Sequence, residues 1–116
     1  MSKRKIEETI QKITNENIPN KRAIDLYRER TGNLQNILIK DLMIDNYTFA
    51  RLSLSDSIFE NVKFVGCKFQ GQDFTNIKLD NVEFDNCDLR WVTLRKEQLD
   101  SNTFVNCDKR EIDVIG

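Results

Sequence analysis

The chain has 116 residues, 32% of them charged, with 18 Lys and Arg against 19 Asp and Glu for a net charge of −1. That length suits one domain with one core, and a balance so near neutral announces no nucleic-acid binder. No stretch reads as a signal peptide or membrane span, so the expected setting is cytoplasmic with no membrane partner; the lack of any histidine removes the commonest general base and the histidine-dependent triads.

From the N-terminus, Ile6, Ile10 and Ile13 recur at i, i+4 and i+7 among Lys, Glu and Gln. This spacing predicts a helix from Ser2, its N-cap, to about Thr14. Pro19 cannot continue it and turns Ile18 away from helical backbone. Asn20 can cap a second helix to about Thr31, with Ala23, Ile24, Leu26 and Tyr27 on one side and Gly32 as its stop. Residues 1–32 hold eight Lys/Arg against five Asp/Glu, and residues 33–116 hold ten against fourteen. The leader is thus mildly basic and the remainder mildly acidic. Residues 1–32 are expected to form a two-helix cap over the open end of the fold that follows. The alternative is that the Ile6/Ile10/Ile13 seam serves as a recognition or dimerisation helix.

From Leu34 the chain carries a large apolar residue at every fifth position. The series runs Leu34, Ile39, Ile44, Phe49, Leu54, Phe59, Phe64, Phe69, Phe74, Leu79, Phe84, Leu89, Leu94, Leu99 and Phe104. Five residues advance a helical side chain by about 140°, which winds the apolar row around the cylinder. An odd step on a long strand sends alternate residues to opposite faces. The pattern closes only if the chain turns a corner every five residues, four corners making a coil of twenty with this row inside. Two residues before each centre lies a second inward row, including Ile37, Tyr47, Val62, Cys67, Val82, Cys87 and Val92. Two residues after each centre lies the corner, rich in Asn, Asp and Gly, which tolerate left-handed backbone.

Units such as Asn81-Val82-Glu83-Phe84-Asp85 and Asn86-Cys87-Asp88-Leu89-Arg90 resemble the pentapeptide-repeat family, whose consensus sets a small residue, then Asp or Asn, then Leu or Phe, then two polar residues. The resemblance implies an all-β solenoid, a right-handed four-sided parallel β-helix of about four coils, spanning residues 33–108 after the helical cap. Leu42, Tyr47 and Leu52 overfill the small slot, so the first coil is expected to be wider or less regular. Residues 109–116 form a tail whose Ile112, Val114 and Ile115 can cover the lower end or meet a second copy.

Identical slots stack every twenty residues. Phe64, Phe84 and Phe104 are expected to form one interior ladder, and Ile39, Phe59, Leu79 and Leu99 another. Cys67, Cys87 and Cys107 share one inward column, about 4.8 Å apart from coil to coil; without histidine or a Cys-x-x-Cys pair they read as buried filler, not a metal site. Three inward slots are polar. Gln72 is expected to bond backbone at a corner. Glu97 and Asn102 predict a loosened last coil, with a bulge turning Glu97 outward.

No catalytic constellation, cofactor loop or metal motif emerges, so function is assigned to the outer walls of a non-enzymatic protein-binding module. Glu60, Asp80 and Asp100 are expected to stack in register, with Glu83 and Asp85 on the next face and Lys63 and Lys78 softening the charge. One reading is a row of negative charge presented like nucleic acid to a DNA-processing enzyme, since the resembled family includes DNA-mimic protectors of type II topoisomerases. The other is an assembly element docking through Arg90, Trp91, Arg95 and Lys96, Trp and Arg being enriched in binding hot spots, or through its ends as a homodimer. Direct nucleic-acid binding by that basic patch ranks below both. Leu38 and Ile58, stacked beside Met43, form an apolar patch suited to receive the leader.

Overall fold

A computed structural model describes residues 34, 35, 37–50 and 52–116. The two leader helices, the 1–32 cap, the Ile6/Ile10/Ile13 seam and the corners Asn36 and Arg51 lie outside the described residues. Within them are nine strands of three residues each: β1 Leu38–Lys40, β2 Met43–Asp45, β3 Ile58–Glu60, β4 Lys63–Val65, β5 Lys78–Asp80, β6 Glu83–Asp85, β7 Thr93–Arg95, β8 Thr103–Val105 and β9 Asp113–Ile115. One short helix, α1 Lys96–Ser101, joins β7 to β8.

Every strand pair is parallel and joins residues twenty apart, as in Phe59↔Leu79 and Phe64↔Phe84. The sheets run β1-β3-β5, β2-β4-β6-β8 and β7-β9. Isolated parallel bridges link Thr48, Lys68, Asp88 and Asp108 in series, and Asp73 to Thr93. The result is an all-β parallel solenoid of about four coils. The period of five sets the length of each strand, because a corner follows before a fourth residue can be added. At the corners Asp41, Asn46, Asp56, Asn61, Gly66, Gly71, Asn81 and Asn86 all have φ between 50° and 74°, the left-handed region these residue types enter most readily.

The apolar row lies inside. Leu34, Ile39, Ile44, Phe49, Leu54, Phe59, Phe64, Phe69, Phe74, Phe84, Leu89 and Leu94 are all buried. Phe84 stacks on Phe64 at 5.2 Å between centroids and on Phe104 at 4.9 Å, and Phe69 meets Phe64 edge-on at 5.0 Å. Rings one coil apart are offset-stacked and rings on adjoining sides are edge to face, the two arrangements a ring quadrupole favours. The first coil pairs in the same register as the rest; its oversized residues are accommodated by leaving Leu42 and Leu52 half-buried while Tyr47 is enclosed.

The last coil differs from expectation. Glu97 does turn outward, but through α1, not through a bulge, and the next residue takes the inward place: Gln98 is 6% exposed. Its Nε2 donates to the carbonyls of Phe74 at 2.7 Å and Ile77 at 3.0 Å. Its Oε1 accepts from the Arg95 backbone N–H at 2.8 Å. The side chain therefore satisfies both the coil above and the first turn of the helix. Leu99 accordingly leaves the Ile39–Phe59–Leu79 ladder and is half-buried on α1. The register recovers at once, since Phe84 still pairs with Phe104.

Candidate interaction surfaces

The acidic side is shorter than the twenty-residue spacing suggests. Lys40, Glu60 and Asp80 follow one another in the β1-β3-β5 ladder. Asp100 does not join them, because its segment is helical; its carboxylate lies 2.7 Å from Lys96 Nζ. On the next sheet Glu83 is 3.1 Å from Lys63. Asp85 stands between Val65 and Val105. Glu60 and Asp80 are thus the one adjacent pair of the proposed row that the described residues bring into register.

The basic side holds a built arrangement. In Asp88-Leu89-Arg90 the Asp88 carboxylate accepts from the Arg90 backbone N–H, from Nε at 2.9 Å and from Nη2 at 2.8 Å. Asp108-Lys109-Arg110 repeats the clip one coil on, with Nε at 3.0 Å and Nη2 at 2.7 Å. Arg90 Nε also lies 3.9 Å from Asp108, joining the two clips. The forked guanidinium matches the two carboxylate oxygens. The Arg110 fork holds the Asp108 carboxyl down at about 2. The Arg90 fork likewise lowers the Asp88 carboxyl, and both guanidinium groups are raised by their carboxylates.

Trp91 caps this ladder. It occupies a corner at φ 60, is 56% exposed, and has the Arg90 guanidinium carbon 5.3 Å from its ring centroid. A left-handed backbone costs an ordinary residue about 1–2 kcal/mol; among the described left-handed corners up to Asn106 the others are Asn, Asp or Gly, and Glu111, one coil below Trp91, shares its conformation at φ 59. Arg95 and Lys96 are engaged elsewhere, Arg95 Nε donating to Thr75 O at 3.1 Å and Lys96 pairing with Asp100.

Two features escaped the sequence reading. The Asp-x-Arg clip is one, although Asp88/Arg90 and Asp108/Arg110 recur at the spacing of the coil. The other is a rule for the inward polar residues: Ser57, Cys67, Gln72, Cys87 and Cys107 each donate to the backbone carbonyl 23 residues earlier. Gln72 also reaches the Leu52 carbonyl, and is bonded to backbone as its buried amide requires. The three cysteines are free, Cys67 and Cys87 being buried. Hydrogen bonding with the Cys107 and Cys67 thiols, then burial, pushes the Cys87 thiol up, while the Cys87 thiol draws Cys107 down to about 7. Among the described residues no group of three or more His, Cys, Asp or Glu could hold a metal ion, and no helix is long and apolar enough to cross a membrane.

Leu38 stacks on Ile58 and Met43 is 55% exposed; the leader assigned to cover them lies outside the described residues. Shallow grooves mark the wall of the described residues. One of about 460 Å³ is lined by Asp41, Asn61, Lys63, Asn81 and Glu83. One of about 390 Å³ lies between β5 and α1, lined by Thr75, Lys78, Leu79, Arg95, Glu97, Gln98 and Ser101.

A family model described as a pentapeptide repeat region matches residues 39–114. No curated protein and no solved structure matches the chain.

Proposed function

Since the chain belongs to the pentapeptide-repeat family, we propose that it is a non-enzymatic protein-binding module, a right-handed four-sided coil that regulates another protein by docking it on the wall carrying Arg90 and Trp91. The observation that carries this reading is Trp91 itself: a large, exposed aromatic in left-handed backbone, with a guanidinium held over its ring. Such a residue is unfavourable for folding at that corner, and strain of this kind concentrates at functional positions. The two Asp–Arg clips fix Arg90 in advance, which removes side-chain ordering from the cost of binding. Trp and Arg together are the residues most enriched in hot spots.

The DNA-mimic reading has less support. It needs an unbroken acidic row, and only Glu60 and Asp80 stand in register while Asp100 pairs with Lys96. Trp91→Asn decides between the readings. Asn suits the corner, so urea denaturation should show the variant at least as stable as the parent, by about 1 kcal/mol. Capture of the protein's partner from an extract of its own cells should fall by about tenfold or more, while Asp80→Lys leaves it unchanged. Loss with Asp80→Lys and retention with Trp91→Asn would instead favour mimicry of nucleic acid.

A further inference from the structure

Replacement of a strand by α1 leaves an edge open inside the solenoid wall. β6 bonds in both directions: its Glu83 N–H donates upward to Val62 O at 3.0 Å, and below it Thr103 N–H donates to Val82 O at 3.0 Å and Asn86 N–H to Val105 O at 2.8 Å. β5 makes the upward set, Lys78 N–H to Ser57 O at 3.0 Å and Asn61 N–H to Asp80 O at 2.9 Å. It has no strand beneath it. Gln98 Nε2 takes the Ile77 carbonyl and Asn102 Oδ1 accepts from the Val82 N–H at 2.9 Å. The Asn81 N–H has no partner among the described residues. Lys78 and Asp80 point up, so alternation along a parallel strand directs the N–H and C=O of Leu79 downward, where no strand receives them. Leu79 is only partly buried, whereas Ile39 and Phe59 above it are 0% and 1% exposed.

We propose that the groove between β5 and α1 binds an extended, acidic peptide segment of a partner protein, which adds as a strand to the free edge of β5. Main-chain pairing to an exposed edge is a general mode of peptide capture. The edge is three residues long, and that length sets the paired part of the guest. Charge selects its sign. Lys78 and Arg95 line the groove against the single anion Glu97, Asp80 lying beyond it on β5. Lys78 stands in register under Ile58, so no carboxylate in the strand above neutralises it. Arg95 uses its Nε on Thr75 O, leaving its Nη atoms for a guest carboxylate. The site shares no residue with the Arg90/Trp91 surface.

The test is an NMR titration with the capped peptide Thr-Val-Asp-Val-Thr. Amide shifts should concentrate at Leu79, Asn81 and α1, and exchange of the Leu79 and Asn81 amides, fast in the free protein, should slow by tenfold or more. The same peptide N-methylated at its three central residues should not bind. Replacing its Asp by Lys, or combining Lys78→Glu with Arg95→Glu in the protein, should weaken binding about tenfold, and Trp91→Asn should change nothing. Absence of shifts at millimolar peptide, shifts elsewhere on the wall, equal binding by the N-methylated peptide, or Leu79 and Asn81 amides already protected in the free protein would each overturn the proposal.

Discussion

Asp108 lies within reach of two guanidinium groups, Arg110 Nη2 at 2.7 Å and Arg90 Nε at 3.9 Å. Its folded pKa of about 2 lies below the ordinary 3.8. A depressed carboxyl contributes stability that is complete above the ordinary value and is lost as the pH falls through the folded one. The clip therefore loosens between pH 3.8 and about 2, and at neutral pH it is intact. A carbon-detected carboxyl titration should place the Asp108 midpoint near 2, and Arg110→Ala should raise it towards 3.8. A midpoint unmoved by that substitution would mean that the fork is not its cause. The same scale explains the inward polar residues. A small or flexible side chain beneath a carbonyl one coil up can bond it, so Ser57, Gln72 and Cys87 occupy an apolar column without leaving a polar atom unpaired.

At the scale of elements, α1 is the departure that needs explaining. Six helical residues rise about 9 Å, close to the span of a three-residue strand at about 3.3 Å per residue, so a helix can stand in for one side of a coil. What it cannot supply is the row of backbone bonds that a strand gives the coil above. Gln98 and Asn102 supply part of it with side chains. Gln98→Ala should consequently destabilise the fold by about 1–3 kcal/mol, the cost of stranding the Ile77 carbonyl, whereas the exposed Glu97→Ala should stay within about 0.5 kcal/mol. Urea midpoints of the two variants check this. Equal midpoints would show that α1 is seated by something other than Gln98.

For the molecule as a whole, the stack of rings along the interior ties the coils together. Phe84 touches Phe64, Phe69, Phe74 and Phe104, which lie ten to twenty residues away along the chain. Phe84→Ala should cost about 3–5 kcal/mol, as removal of an enclosed ring does in a core that cannot collapse. Leu99→Ala, on the half-buried face of α1, should cost clearly less, about 1–2 kcal/mol. A comparable loss at both sites would mean that the helix is as tightly packed as the centre.

Much of this architecture could be read from residues alone. A period of five with Asn, Asp and Gly two places after each apolar centre dictates short strands and left-handed corners, because those preferences act within a single residue and its neighbours. Packing of the centre row inside, stacking of Phe64 on Phe84 and burial of Cys67 and Cys87 follow from that local rule repeated every twenty residues, while Cys107, in the last coil, is only partly buried. Asp100 and Leu99 were misplaced, and the bulge expected at Glu97 is a helix, for one shared reason. Their slots obey the period, yet whether the segment runs as strand or helix is settled by Gln98 reaching carbonyls 21 and 24 residues away, a long-range choice that no local pattern encodes. The Asp88–Arg90 clip and the guanidinium over Trp91 join residues two and one apart and so lay within reach of the sequence, whereas the link from Arg90 to Asp108 and the open edge of β5 arise only when separate coils are brought side by side, since each depends on distances between atoms that the chain itself holds far apart.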